Sequence, residues 1–328
     1  MNHKQALGKV LILRFSSIGD IVLTSPVVRC LKSEYPLCEI HYFTKKAFLP
    51  IVESNPYVDK VHSFEKNISE VIGVLQKENF DLVVDLHNNL RSAQTKQKLG
   101  KPTTTFTKLN FKKWVLVNFK INKMPGAHVV DRYLQTVEKY GVRNDGKGLD
   151  YFIPENEEIS FSTLPASHQH GFIGFVIGAK HATKQLPINK IIAICKTLSQ
   201  PIVLLGGKED EHLAEEIRVA LGEKVYNACG KYSIHESASL VKMADKIVSH
   251  DTGLMHIAAA FKKEIISIWG NTVPSFGFSP YQSHPKSKIV EVSGLSCRPC
   301  SKIGYNKCPK GHFKCMNEID LNQVRFTS

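Results

Sequence analysis

The chain has 328 residues, 42 % of them hydrophobic and 22 % charged, enough for about two ordinary globular domains. No apolar run approaches the roughly 18 residues that span a bilayer. The N-terminus MNHKQALGKVLILRF lacks the layout of a signal peptide, so collagen, long coiled coil, secreted disulfide miniprotein and integral membrane protein are set aside and a cytoplasmic protein is expected. Lys and Arg number 43 against 30 Asp and Glu, a formal charge of +13; such an excess points to nucleic acid, an anionic membrane or a phosphorylated substrate.

In chain order, short β-branched runs alternate with amphipathic stretches, the pattern of parallel α/β units. Residues 9–15 (KVLILRF), 38–43, 59–64, 81–86 and 102–106 read as strands, with helices over 21–33 and 68–78. Between Asp85 and Asp131 there is no acidic residue. That stretch holds Arg91, Lys96, Lys98, Lys101, Lys108, Lys112, Lys113, Lys120 and Lys123, interleaved with Phe106, Phe111, Trp114 and Phe119. It is either a solvated basic face or a patch for an anionic partner, membrane surface or RNA. A helix reading DRYLQTVEKYG follows and ends at Gly141, where a residue without Cβ takes the left-handed cap.

Residues 143–170 lose periodicity, so 1–150 is expected to be one domain and 151–170 a linker. Strands then restart over 171–179, 201–207, 224–229, 245–250 and 264–270, with helices over 188–199, 209–221 and 235–243; the second domain is expected to span 171–295. Residues 296–328 form a loop-like, cysteine-rich segment. The fold expected is α/β, two Rossmann-like doubly wound domains facing each other across a cleft, with ligands at the carboxyl ends of the strands.

Two loops carry chemistry. Phe15-Ser16-Ser17-Ile18-Gly19-Asp20 stands between the first strand and its helix, where a dinucleotide-binding domain would carry G-x-G-x-x-G. A lone Gly and a carboxylate stand there instead, and a carboxylate would repel a pyrophosphate. Asp20 is either a helix N-cap or a general base at the rim, and Gly19 lets a substrate approach the backbone. The second loop, Ser249 to Ala260 (SHDTGLMHIAAA), places Asp251 or Thr252 as the cap of a helix whose free N–H groups and dipole suit a phosphate. Gly253 keeps that turn open. His256 is either a core histidine or a donor to a phosphate oxygen.

Together, KVLILRFSSIGDIVLTSPVVRCLK and SHDTGLMHIAAAFKKEIISIWG resemble glycosyltransferase family nine, the ADP-heptose:lipopolysaccharide heptosyltransferases, from about residue 9 to at least 295. The resemblance implies a GT-B fold and a metal-independent inverting transfer of heptose from ADP-heptose to a lipid-linked core sugar. It matches Asp20 to the general base, and Asp251, Thr252, Gly253 and His256 to the donor-phosphate motif. Lys184 matches the lysine that neutralises the diphosphate, and Glu209 or Asp210 an acid near the donor ribose. It places His128 and Arg132 near the acceptor; Ser17, Gly19 and Arg91 are further acceptor-binding candidates. The partners implied are an ADP-sugar and an anionic lipid A–Kdo-type acceptor at the inner membrane, with peripheral membrane contact and no nucleic acid. A GT-B transferase for another nucleotide sugar and a basic RNA-binding protein are the alternatives.

No cofactor is expected for catalysis. Cys297, Cys300, Cys308 and Cys315, with His312 between the last two, have close ligand spacing. A structural zinc held by four thiolates, or by three and the imidazole, is one expectation; an iron–sulfur cluster or no ligand are the others. Cys30, Cys38, Cys195 and Cys229 read as small buried hydrophobes.

Overall fold

Residues 7–326 are described by a computed structural model. Contacts divide the chain into two units. The first runs to Lys108 and resumes over Ala127–Phe152; the second takes Leu109–Gly126 and everything from Ile153.

The first unit is built on five parallel strands, β1 (Lys9–Leu13), β2 (Glu39–Lys45), β3 (Lys60–Phe64), β4 (Leu82–Asp85) and β5 (Thr103–Thr105), in the order β3-β2-β1-β4-β5. Strands covered on both faces read as unbroken apolar runs, and KVLIL and LVVD are buried almost throughout. Phe15 packs edge-on against Phe43 and Phe64 with ring centroids 5.2 Å apart; each buried ring contributes about 2–3 kcal/mol of transfer free energy. The expected helix over 21–33 is two, Ile18–Val22 and Ser25–Glu34. Pro26 has no N–H to continue the first, and its ring would collide with the preceding turn. The helix expected up to Gly141 covers only Val129–Leu134, followed by a single tight turn Glu138–Tyr140 that stops on Gly141 at φ 83°.

The loss of periodicity after 143 does not mark a free linker. The buried Arg29 forks onto both oxygens of Asp145 at 2.7 and 2.8 Å, pairs with Asp150 and donates to Gly148 O at 2.9 Å, pinning this segment to the helix Ser25–Glu34. Beyond Ile153 the chain belongs to the second unit, where Ile159 N donates to Ser239 Oγ at 2.8 Å and Glu158 meets Lys242 at 2.6 Å.

The second unit carries six parallel strands, β6 (Ile173–Val176), β7 (Ile202–Leu205), β8 (Val225–Asn227), β9 (Lys246–His250), β10 (Glu264–Trp269) and β11 (Lys288–Glu291). Their order is β8-β7-β6-β9-β10-β11, the Rossmann arrangement in full. β11 was not expected from the sequence; only Val290 of its KIVE is buried. The cysteine-rich segment is not a separate appendage, since Cys315, Met316, Ile319 and Val324 join the core of this unit. The helix Asn110–Phe119 belongs here too, although its sequence lies between β5 and the helix Val129–Leu134. Cys30, Cys38, Cys195 and Cys229 are buried as expected. Among the described residues no helix is long and apolar enough to cross a membrane.

Candidate active site

In an open parallel sheet, ligands gather where the strand order reverses, at the carboxyl ends of the two strands flanking that point. In the first unit those strands are β1 and β4. The chain leaving β1 enters the helix Ile18–Val22, whose N-cap is Ser17; Asp20 is therefore not the cap but the third helical residue. Its side chain turns back, accepting from Ser17 N at 3.2 Å and Ser17 Oγ at 2.9 Å, while its other oxygen meets Arg14 Nη2 at 2.8 Å. The Ser16–Ser17 peptide bond is cis. Ser17 is exposed, Gly19 buried and Asp20 one-quarter exposed.

Arg14 ties this corner together. It donates to Ser16 O (2.7 Å), Leu86 O (2.6 Å) and Tyr133 Oη (2.9 Å), joining the ends of β1 and β4 to the helix Val129–Leu134. Burial opposes its charge, but Asp20 and Tyr133 outweigh that and raise its pKa. Burial pushes the Tyr133 phenol well up, so it stays a neutral acceptor. Beside them, burial and then Arg14 push His87 down to about 3; its neutral Nδ1 faces Phe15 N at 3.4 Å. Arg14 was missed in the sequence, although a charged residue ending an otherwise apolar strand is a signal.

The acceptor candidates divide. Arg91 is exposed at the start of the helix Leu90–Leu99, which follows β4. His128 is the cap of the helix Val129–Leu134, its Nδ1 accepting from Val130 N at 3.2 Å. Arg132 is only 4 % exposed and donates to Thr107 O at 3.1 Å.

In the second unit the order reverses between β6 and β9. Lys184 lies on the loop after β6 and Asp251 directly after β9, and the two meet: Lys184 Nζ lies 2.5 Å from Asp251 Oδ2 and 3.3 Å from Asp251 O. Asp251 also accepts from Thr272 Oγ1 at 3.0 Å, bringing in the loop after β10, which sequence reasoning missed. Asp251 is thus a bridge between loops, and Thr252 is the cap residue of the helix Gly253–Ala260. Thr252 Oγ1 and both polar side-chain atoms of Asn271 are buried without a hydrogen-bond partner among the described residues. Buried polar atoms are seldom left so, and these stand on adjacent loops at the strand ends. His256 is buried one turn into the helix. His250 accepts from Leu186 N at 3.1 Å through Nε2, and burial pushes it down to about 4.

The loop after β7 separates Glu209 from Asp210. Asp210 is buried, accepting from Gly207 N at 2.9 Å and Gln185 Nε2 at 3.1 Å, with its pKa raised by burial. A Cβ at Gly178 would lie 2.2 Å from its Oδ2, so the glycine is required by close packing. Glu209 is exposed.

The cysteine segment abuts these loops. Tyr305 N donates to Thr183 Oγ1 at 2.8 Å and Thr183 N donates to Tyr305 O at 3.1 Å, next to Lys184. Arg298 donates to Thr272 O at 2.9 Å and pairs with Glu291 at 2.6 Å. Burial, followed by its cysteine neighbours, pushes Cys300 up to about 11; burial and Cys300 push Cys315 up to about 12. Among the described residues, the group of ligand-type atoms all within 4.8 Å of one another is His41, His62 and Glu78; the four sulfurs are spread more widely. In that histidine group, Glu78 is already matched by Lys9 at 3.0 Å and by Lys60 at 2.5 Å.

A family model described as Glycosyltransferase family 9 (heptosyltransferase) matches residues 69–309. The chain belongs to glycosyltransferase family 9. This family 9 chain is 26 % identical to lipooligosaccharide heptosyltransferase 2 of Haemophilus influenzae, over 81 % of its own length and 84 % of that protein. It is 27 % identical to lipopolysaccharide heptosyltransferase 1 of Campylobacter coli, over 82 % and 85 %. Among solved structures it resembles the E. coli ADP-heptose lps heptosyltransferase II with a TM-score of 0.70 at 22 % identity, covering 94 % of this chain and 98 % of that one. The two Rossmann-like units are those of the GT-B fold, and the protein is a glycosyltransferase.

Proposed function

We propose that this glycosyltransferase moves a heptose from ADP-heptose to an anionic inner-core acceptor of lipopolysaccharide, with inversion at the transferred carbon. Asp20, held by Arg14 and Ser17, takes the proton of the acceptor hydroxyl as it attacks. Lys184 and the first turn of the helix Gly253–Ala260 hold the diphosphate and stabilise the charge that builds on the departing ADP. Thr252 and His256 bind its oxygens, and the exposed Glu209 takes the ribose hydroxyls while Asp210 shapes the loop. Arg91 and Ser17 receive the acceptor.

The meeting of Lys184 with Asp251 beside the helix start carries this reading. A compact ammonium there serves a diphosphate as a point charge, and an ADP oxygen entering would share it with Asp251. The lysine and the helix start supply the positive charge the leaving group needs, so transfer is proposed to persist in EDTA. The names of the Haemophilus, Campylobacter and E. coli proteins support heptose as the sugar. A panel of ADP- and UDP-sugars, assayed for nucleotide release with and without a lipid A–Kdo acceptor, tests it. Acceptor-dependent ADP release from ADP-heptose is expected; release only from another nucleotide sugar would replace the donor.

We also propose one structural zinc at Cys297, Cys300, Cys308 and Cys315. Zn–S bonds of about 2.3 Å set sulfurs about 3.8 Å apart, so the ion would draw these four inward. The ligand spacing of the four cysteines supports it.

A further inference from the structure

A second acid-free run lies far from the first in sequence: between Glu291 and Glu318 there is no acidic residue, while Arg298, Lys302, Lys307, Lys310 and Lys314 are present. Part of the first run, Leu109–Gly126, sits in the same unit, and the two are joined. Lys120 Nζ donates to Pro299 O at 2.7 Å and Cys297 O at 3.2 Å. Two stretches without a single carboxylate are therefore neighbours on one surface.

That surface is also where apolar side chains face water. Of the twelve exposed large hydrophobic residues among those described, six are Phe111, Trp114, Phe119, Ile121, Ile303 and Tyr305. In the helix Asn110–Phe119, helical spacing puts Lys113 and Leu116 inward: Lys113 lies over the rings of Phe276 and Phe278, and Leu116 is buried. Phe111, Trp114 and Phe119 are left outside at 75 %, 46 % and 60 % exposure, packed on one another with centroids 6.2 and 5.3 Å apart. Lys112 and Lys123, within or just after this stretch, are exposed, and so are Lys302, Lys307 and Lys310 of the second run.

We propose that this face, the aromatic ridge of the helix Asn110–Phe119 with the lysines of 112–123 and 302–310, docks on an anionic lipid bilayer. Contiguous exposed apolar side chains mark interaction surfaces. Aromatic rings in a lysine-rich stretch fit the boundary between headgroups and acyl chains, and the absence of carboxylates from both stretches suits a negative leaflet. A nucleic acid would engage the lysines equally and stack bases on the rings, but it offers no apolar layer for the aliphatic Ile121 and Ile303. The choice of a bilayer rests on the proposed acceptor being lipid-borne.

The chain contains its own reporter. It has two tryptophans: Trp269 is 1 % exposed inside the core and Trp114 stands on the ridge, so a change in emission on docking comes from Trp114. With vesicles containing phosphatidylglycerol at low salt, a blue shift is expected and binding at least about tenfold tighter than to pure phosphatidylcholine, weakening as salt is added. The double variant F111S/F119S should lose the blue shift, and K112E/K123E should lose the preference for anionic lipid. Both should keep the melting shift given by ADP, which shows that they fold. Both should also keep acceptor-dependent ADP release with a detergent-solubilised acceptor. No binding to anionic vesicles, or binding with Trp114 emission unchanged, overturns the proposal, as does a Trp114 response to poly-U but not to vesicles. Turnover with solubilised acceptor beside absent vesicle binding sinks the docking face alone; vesicle binding without turnover on any ADP-sugar sinks the transferase reading alone.

Discussion

Asp20 has one oxygen on Arg14 and the other on Ser17, so its carboxylate is oriented before any acceptor arrives. Replacing it with Asn keeps the shape and removes the base. D20N is expected to lower kcat by about 100-fold or more, the usual scale for a lost general base, with the ADP dissociation constant within about twofold by calorimetry. Near-normal turnover would remove Asp20 from the proton transfer. Lys184 presents the opposite case. Lys184→Ala leaves the Asp251 carboxylate facing the phosphates without its partner, so ADP binding should weaken by about tenfold or more; calorimetry at fixed ionic strength measures it. The choice between Glu209 and Asp210 was not legible in the sequence, because neighbours on a loop look alike until burial separates them. The pairing of Lys184 with Asp251 was equally invisible, since 67 positions separate them and only the sheet order brings them together.

At the scale of elements, ten of the eleven described strands were legible within a few residues, most of them because strands buried on both faces must be apolar runs; β11, with only Val290 buried, was not. Nor were helix ends. Pro26 divides a stretch whose periodicity continues across it. Residues 110–119, read only as part of a basic run within 1–150, form a helix of the second unit whose anchors, Phe276, Phe278 and the carbonyls of Cys297 and Pro299, are remote in sequence. Periodicity is lost from 143 onward, and Arg29 is what fixes residues 145–150 within the first unit. Removing that guanidinium strands two partly buried carboxylates, a change that typically costs about 3–5 kcal/mol. Burial opposes the Arg29 charge, but Asp145 and Asp150 raise its pKa well above the ordinary value, so the pair is ionised at neutral pH. Arg29→Ala is expected to lower the urea midpoint and to make residues 143–152 an early site of limited proteolysis. An unchanged midpoint would show the clamp to be incidental.

For the whole molecule, acid should act through buried imidazoles. Burial pushes His62 and His250 down to about 4 in the fold, against roughly 6.5 in the unfolded chain. Above pH 6.5 both states are neutral and these groups contribute nothing to the pH dependence. Between about 6.5 and 4 the unfolded chain binds more protons, so stability falls as pH falls, by on the order of 3 kcal/mol for each imidazole once pH 4 is passed. Glu78 and Asp145, lowered to about 2 chiefly by Lys60 and by Arg29, extend the loss from about pH 4 toward 2. Urea midpoints at pH 7.5, 5.5 and 4.5 should decline in that order, and a flat profile would contradict the burial of these rings. Elemental analysis of reduced protein purified without chelator is expected to give about one zinc per chain; a metal-free result would leave the four cysteines as ordinary thiols.

Tyr305 clasps Thr183 through the backbone in both directions, one residue from the ammonium proposed to hold the nucleotide. On the proposed reading, nucleotide affinity depends on the cysteine-rich segment that carries Tyr305. Alkylating or oxidising Cys300 or Cys308, or trimming the chain before Tyr305, would disturb a grip on ADP to which the altered atoms make no direct contribution.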